Sequence, residues 1–234
     1  MNGIVLIDKP PGWTSFDVVN RVRRLVQKSE FNTSNKKRFP VGHTGTLDPL
    51  ATGLLVLLLG TYTKRAPELT KLAKTYEVTM RLGQTSTTGD EEGDKTIVSD
   101  RKPSPAELEL AMQQFVGDSM QTPPIYSAIK INGQRAYQLA RQGKAVEMAA
   151  RPAHIDYIKL QNYNYPDVIF TTHVSSGTYI RSLVEDIGKT LKTGAYMAAL
   201  RRTTVGDFSI DAAITAEGLD AATIRQHLQQ LNQA

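Results

Sequence analysis

Six consecutive apolar residues, Leu54-Leu55-Val56-Leu57-Leu58-Leu59, closed by Gly60, constrain the fold of this chain more than any other stretch. The run is far shorter than the roughly 20 residues needed to cross a bilayer. It reads as a fully buried strand or a short buried helix, and a core must be built around it. A chain of 234 residues is long enough for that, as one large domain or two intimate subdomains. The start of the chain, Ile4-Val5-Leu6-Ile7-Asp8-Lys9-Pro10, has a short apolar run, no basic segment before it and charge straight after. That pattern is a strand and not a secretory signal. The expectation is a soluble, cytoplasmic protein with no membrane association.

Strand and helix signals interleave along the rest. Ser15 offers an N-cap, and Val18, Val19, Val22, Leu25 and Val26 follow at helical spacing. Asn32 to Arg38 is polar and reads as a loop. Tyr76, Val78 and Met80 alternate onto one face of a strand over Thr75 to Leu82. Thr85 to Asp94 is rich in Thr, Gly and acids and reads as a turn or loop. Ser104-Pro105-Ala106-Glu107 predicts a helix start with a capping box, running to about Phe115 before Gly117. Ile155 to Tyr163 and Val168 to Val174 read as a hairpin around Asn164-Tyr165-Pro166-Asp167. Tyr179 to Leu191 is expected to be helical, Ala195 to Arg201 a second short helix, and Ala221 to Leu231 a last weak one. The pattern is α+β or mixed α/β.

Composition excludes several chemistries. The chain has no cysteine, which removes disulfides, thiol nucleophiles and thiolate metal sites. Its four histidines, His43, His154, His173 and His227, show no helical metal-binding spacing, so no metal is expected. No G-x-x-x-x-G-K-[ST], G-x-S-x-G or G-x-G-x-x-G occurs, which disfavours NTPase, serine hydrolase and dinucleotide readings. Lys and Arg number 28 against 23 Asp and Glu, a net charge of +5. The excess is uneven. Arg21 to Arg38 holds seven basic residues against Glu30, and Met120 to Arg151 holds five against Glu147, with Tyr126 and Tyr137 between them. Positive charge interleaved with aromatics suits a nucleic-acid strand held by its phosphates and stacked by its bases; an ordinary solvated surface would look the same.

One segment stands apart: Gly42-His43-Thr44-Gly45-Thr46-Leu47-Asp48-Pro49-Leu50-Ala51-Thr52-Gly53. It is glycine-rich and irregular, then enters the apolar run. Asp48 is its only ionised side chain. An acid at the lip of a buried run, fixed by Pro49 and with few water contacts, can serve as nucleophile or base if a nearby cation keeps it charged. Equally, it can simply cap a turn before Pro49.

This segment resembles the catalytic motif of the TruB family, the tRNA pseudouridine-55 synthases. Other blocks resemble the same family: Lys9-Pro10-Pro11-Gly12-Trp13-Thr14-Ser15; Lys74-Thr75-Tyr76-Glu77 with Arg81-Leu82-Gly83, Thr85, Thr88, Asp90 and Gly93; and Gln121 to Lys130 with Gly133, Tyr137, Ala140, Arg141 and Gly143. So do Ser175 to Leu183 and Leu200-Arg201-Arg202-Thr203 with Val205, Gly206 and Phe208. Together they run from Lys9 to Phe208.

The resemblance implies a pseudouridine-synthase fold, a long mixed, mainly antiparallel sheet with flanking helices, in two α+β halves around a catalytic cleft. It implies a catalytic domain over 1–210 with an RNA-gripping thumb at about 121–151, and a short tail over 211–234. It implies isomerisation of uridine to pseudouridine at position 55 in the T-loop of tRNA, by base flipping, without cofactor or metal. Asp48 would be the catalytic carboxylate, Arg181 its charge partner, and Tyr76 a stacking platform whose hydroxyl lies near the departing C5 proton. Tyr179 and Leu200 would wall the pocket. His43 would fill the place of the extruded base or prop the loop open. Lys9, Lys64, Lys130 and Arg141 would meet phosphates. The enzyme would act as a monomer on the tRNA T-arm with no obligatory protein partner.

Two departures accompany the resemblance. The family usually continues into a PUA-like RNA-binding domain, and Thr215 to Ala234 is too short for a complete one, which bears on acceptor-stem binding. The family also often has Cys where this chain has Val174. Three rival readings are a ribosomal RNA uridine isomerase, a guide-RNA-dependent relative and a tRNA-folding chaperone; the last is compatible with catalysis.

Overall fold

The computed structural model describes residues 1–29, 38–125, 130–131, 133–142 and 148–231; at 130, 131, 135, 137, 140 and 141 it describes the backbone alone. In chain order the elements begin with β1 (Gly3–Lys9), α1 (Ser15–Gln27), β2 (Val41–His43), β3 (Thr52–Leu59), a 3₁₀ segment (Gly60–Arg65) and α2 (Ala66–Leu69). There follow β4 (Lys74–Leu82), β5 (Gln84–Ser86), β6 (Lys95–Ile97), α3 (Pro105–Gln113), β7 (Gly117–Gln121), β8 (Lys130–Ile131), β9 (Gln134–Arg135) and α4 (Ala136–Arg141). The last are β10 (Arg151–Asn164), β11 (Asp167–Val174), α5 (Ile180–Thr190), β12 (Ala195–Val205), β13 (Phe208–Ser209), a 3₁₀ turn (Ile210–Ala212), β14 (Ile214–Thr215) and α6 (Ala221–Gln226). The chain divides into two compact units, one of Met1–Tyr76 with Arg201–Ala234 and the other of Glu77–Leu200. Each unit has both helices and strands, and the fold is α+β with mixed, mainly antiparallel ladders.

The first unit is organised by the apolar run. Leu54 to Leu59 is strand, and all six side chains are fully buried. Side chains alternate across a strand, so a continuous apolar run needs cover on both faces. Leu55, Leu57 and Leu59 pack with Val5 and Ile7 of β1 and with Val18, Val19, Val22 and Val26 of α1. Leu54, Val56 and Leu58 pack on the other face with Ile4, Leu6, Leu69 and Val205. β1 pairs antiparallel with β3 from Gly3↔Leu59 to Lys9↔Gly53, β2 pairs antiparallel with the end of β3, and β12 joins β3 in parallel at Arg201↔Thr52 and Arg202↔Gly53. Each fully buried Leu or Val contributes roughly 1.5–3 kcal/mol.

α1 starts one residue earlier than expected. Thr14, not Ser15, is its N-cap: the Thr14 hydroxyl accepts from the Asp17 N–H at 3.1 Å, and the Asp17 carboxylate accepts from the Thr14 N–H at 2.9 Å. That capping box leaves the Ser15 hydroxyl for another task. The residues beyond 210 are built into this unit. β14 pairs with β1 through Ile7↔Ile214, and Gln229 exchanges two backbone hydrogen bonds with Ile4, at 2.9 and 2.8 Å. This extended pairing stops the last helix at Gln226, where periodicity alone carries it to Leu231.

In the second unit the strand order is β4-β11-β10-β7. β10 and β11 form the expected hairpin, from Ile155↔Val174 to Asn164↔Asp167. Val78, Met80 and Leu82 are buried on alternate positions of β4. α3 packs on β10 and α5 with Leu108, Ala111 and Met112 buried. Its start has the expected capping box from Ser104 and Glu107, and it ends at Gln113, just short of Phe115. The turn-rich stretch from Thr85 to Asp94 holds the last two residues of β5 and the connection to β6 in a short hairpin.

Ala195 to Arg201 is a strand and not a helix. The run Ala-Tyr-Met-Ala-Ala-Leu has helical propensity, yet the Met197 N–H donates to the Gly89 carbonyl at 3.0 Å and β-branched Thr203, Thr204 and Val205 extend the same strand. Ladder pairing overrides propensity here. The expected loop at Asn32 to Arg38 lies outside the described residues except for Arg38. So do Tyr126 and Lys144 of the expected thumb, while Lys130, Tyr137 and Arg141 are described in backbone only. Among the described residues, no helix is long and apolar enough to cross a membrane.

Candidate active site

Asp48 sits in the connection between β2 and β3, where a strand end, a turn and two glycines follow one another. The Ala51 N–H donates to the Asp48 carbonyl at 3.1 Å, which closes the turn. The Asp48 residue is exposed, flanked by buried Leu47 and half-buried Pro49. The expectation of few water contacts therefore does not hold. The loop is anchored through its backbone, and Asp48 stands on its exposed side.

His43 ends β2 half-buried, and its Nδ1 accepts from the Gly45 N–H at 3.2 Å. Burial, followed by the nearby Arg202 charge, holds its pKa below the ordinary histidine value. It is a neutral ring at physiological pH, suited to packing and hydrogen bonding more than to phosphate binding. Tyr76 on β4 is buried at 8% exposure. Lys64 is exposed on the 3₁₀ segment and free of burial that would deter a phosphate.

Lys9 contradicts its expected role. Its residue is 0% exposed, and its ammonium donates to the carbonyls of Pro10 at 2.9 Å, Trp13 at 2.6 Å and Pro49 at 3.3 Å. An ammonium has three donors, and all three are spent on the loops beneath Asp48. It is not a phosphate contact. Burial lowers its pKa to about 8, with the Asp48 charge working the other way. Lys74 is likewise buried, donates to the Thr70 and Leu72 carbonyls, and falls to about 8 through burial and then the Arg202 charge. Arg202, at 1% exposure, is the third buried cation of this unit.

The sign of the pH effect follows. A lysine depressed to about 8 from its ordinary value of 10.5 binds fewer protons folded than unfolded across that interval. Stability therefore rises as pH increases from 8 to 10.5 on its account. Relative to Lys9→Met, the wild-type chain is expected to gain on the order of 2–3 kcal/mol over that interval. Urea denaturation at the two ends of the range measures it; a pH-independent difference between the two proteins refutes it.

The second unit holds Arg181 in the first turn of α5, at 8% exposure. Its Nη1 lies 3.3 Å from Asp90 Oδ2 and donates to the Thr88 carbonyl at 3.3 Å. Asp90 is itself 5% exposed and is fixed by the Thr88 hydroxyl at 2.5 Å and the Glu92 N–H at 3.1 Å. In the sequence Asp90 is one residue of a longer motif; its T-x-D spacing, which places the Thr88 hydroxyl on the carboxylate, is the signal that marks it. Gln121 is a second such residue. Its side-chain amide receives the Tyr179 N–H at 2.7 Å and donates to the Tyr179 carbonyl at 2.9 Å, clamping the entry to α5. Ser182 adds a bond to the Thr122 carbonyl at 2.9 Å. Tyr179 and Leu200 are both half-buried. The side chains of Lys130 and Arg141 lie outside what the structure describes. Among the described residues, no group of three or more His, Asp or Glu side chains is placed to hold a metal ion.

Comparison with known proteins gives the family. Residues 32–180 match the model of the TruB family pseudouridylate synthase N-terminal domain, and residues 181–233 match that of the tRNA pseudouridylate synthase B C-terminal domain. The tRNA pseudouridine synthase B of Burkholderia mallei (strain NCTC 10247) is 44% identical over 223 residues, covering 95% of this chain and 70% of the relative. That of Clostridium novyi (strain NT) is 42% identical over 234 residues, covering 100% of this chain and 78% of the relative. Among solved structures, a chain of an archaeal box H/ACA sRNP Nop10–Cbf5 complex superposes with a TM-score of 0.65 at 27% identity, covering 92% of this chain and 51% of that one. A chain of a Cbf5–Nop10–Gar1 complex gives 0.72 at 27% identity, covering 97% and 60%. This chain thus spans between half and three-fifths of those solved chains. It belongs to the TruB family of pseudouridylate synthases, isomerases that turn uridine into pseudouridine.

Proposed function

We propose that the enzyme acts on tRNA, at position 55 of the T-loop, with Asp48 as the catalytic carboxylate on a flipped-out nucleotide. The observation that carries this reading is Asp48 itself, an exposed acid on a loop held by buried groups, inside the motif that resembles the family's catalytic segment. The names of the relatives, tRNA pseudouridine synthase B, support the substrate.

The reaction is an isomerisation. The N1–C1′ bond breaks, uracil rotates, C5 bonds to C1′, and the C5 proton is lost as N1 gains one. A carboxylate can attack the sugar or the base, or take a sugar proton, while uracil leaves as a delocalised anion. In this reading Tyr76 stacks on the flipped base and Tyr179 and Leu200 wall it. His43, neutral, takes the space the base vacates, and Arg181 supplies the charge that the carboxylate needs. The enzyme uses no cofactor or metal, works as a cytoplasmic monomer and accompanies catalysis with help to tRNA folding. The Asp48→Asn variant is expected to retain that folding help.

A T-arm hairpin treated with the protein and mapped for pseudouridine tests the reading. Modification at position 55 alone is the expected result. Modification elsewhere, or in ribosomal RNA fragments but not in the T-arm, overturns it.

Lys64, Lys130 and Arg141 are proposed to meet phosphates. Each phosphate contact releases counterions, so affinity falls with salt. Arg141→Ala is expected to weaken T-arm binding and to flatten the slope of log K against log salt by about one. A binding titration at several salt concentrations measures this, and an unchanged slope removes Arg141 from the interface.

A further inference from the structure

The loop that carries Asp48 is held at every second residue. At Gly45, the carbonyl accepts from Arg202 Nη2 at 3.0 Å. At Leu47, the Ser15 hydroxyl accepts from the N–H at 2.8 Å and donates to the carbonyl at 2.9 Å. At Pro49, the carbonyl accepts from the Gly12 N–H at 2.8 Å and from Lys9 Nζ at 3.3 Å. The residues between these anchors, Thr46 and Asp48, are the exposed ones. Alternation of this kind is the logic of a strand, in which successive side chains point to opposite sides. Anchoring the odd positions from beneath presents the even ones outward.

The anchors come from two elements fixed by other forces. Ser15 is 2% exposed at the first position of α1. Thr14 takes the capping duty, which frees the Ser15 hydroxyl to bridge both backbone groups of Leu47. Arg202 sits on β12 against β3. Its Nε donates to the Leu54 carbonyl at 2.8 Å, so one guanidinium ties both shoulders of the loop. The two strands can approach this closely because residue 53 is glycine: with φ of +96°, a Cβ there would stand 2.3 Å from the Arg202 carbonyl.

We infer that Ser15 and Arg202 are positioning residues for the isomerisation: they fix the Asp48 carboxylate in its reactive geometry without touching substrate. This rests on the reading of Asp48 as the catalytic carboxylate. Neither side chain can reach an RNA in its present bonds, both being buried. Displacement of a reacting group by about 1 Å is enough to lower a rate about 10²-fold.

The test is single-turnover pseudouridine formation on a T-arm hairpin at saturating enzyme, with RNA affinity and urea denaturation measured on the same proteins. Ser15→Ala removes one hydroxyl and leaves the capping box intact, so it is expected to fold. Its rate constant should fall about 10-fold, with the dissociation constant for RNA within about 3-fold of wild type. Arg202→Met should fall further, about 10²-fold, and Arg202→Lys should recover part of that loss by reaching one of the two carbonyls. Loss of rate at unchanged affinity, measured where the variants are fully folded, is not what a general loss of stability gives. A wild-type rate in Ser15→Ala, or a defect confined to RNA affinity, overturns the inference. Asp48→Asn is run beside them. If it is active, the reading of Asp48 fails and takes the inference with it. If it is inactive while Ser15→Ala keeps full rate, only the inference fails.

Discussion

Asp48→Asn is expected to lower pseudouridine formation by at least about 10³-fold while T-arm binding stays within a few-fold of wild type. The substitution keeps the shape and most hydrogen-bonding capacity of the side chain and removes the charge. Asp48 is exposed, so the substitution leaves no buried hole and the variant is expected to fold. Anchoring of the loop is through backbone carbonyls and N–H groups at Gly45, Leu47 and Pro49, none of which the substitution touches. Any loss of rate is therefore a loss of chemistry. Single-turnover kinetics with enzyme in excess give the rate, and filter binding gives the affinity. Multiple turnover by the Asn variant would refute Asp48 as the reactive carboxylate.

How much of this was legible in the sequence depends on the range of the force involved. Leu54 to Leu59 announced a core element by composition, and its parity split into two packed faces follows once it is known to be a strand. The Ser104 capping box and the hairpin around Asn164 to Asp167 are local, and both stand as expected. Ala195 to Arg201 was misread because its fate is set by distant partners, Gly89 and Thr52 among them, that no local window contains. The same holds for the stretch after Gln226, which pairs with Ile4 at the other end of the chain.

The site shows the same division. Asp48 is conspicuous as a lone carboxylate among glycines and a proline, but the role proposed for it rests on the resemblance of its segment to the family's catalytic motif. The resemblance implies a phosphate contact for Lys9, and its sequence neighbours give no sign that the side chain is buried. Its carbonyl partners, Pro10 and Trp13 nearby and Pro49 across the fold, turn a lysine inward only when the loops close over it. In the sequence Arg202 is one residue of a block, Leu200-Arg201-Arg202-Thr203, that resembles the family. Nothing in its neighbours says that Arg201 turns to Asp8 while Arg202 turns under the Asp48 loop. Alternation along β12 separates the two, and that is knowable only once Arg201 and Arg202 are known to be in a strand.

The second large effect is expected at Asp90. Its carboxylate faces the Arg181 guanidinium at 3.3 Å, with side-chain exposures of 7% and 10%. Removing one member of a buried ion pair leaves the other less compensated and typically costs 3–5 kcal/mol. Asp90→Ala should therefore destabilise the chain by about 3 kcal/mol and lower the single-turnover rate by about 10²-fold. Asp90→Asn separates charge from geometry. The amide oxygen can still accept from the Thr88 hydroxyl and the Glu92 N–H, so the loop should stay in place and most of the stability should return. If Arg181 needs the charge of Asp90 to hold its orientation, the Asn variant should remain nearly as slow as the Ala variant although it is more stable. If the loop alone matters, Asn should recover the rate together with the stability. Arg181→Met completes a cycle with Asp90→Ala. Residues in direct contact usually couple by about 0.5–3 kcal/mol, whereas independent sites add within about 0.5 kcal/mol. The double variant is expected to be no slower than the worse single variant. Additive losses in urea denaturation and in single-turnover rate would show that Arg181 acts without Asp90, and the proposed dependence of Arg181 on that carboxylate would be refuted.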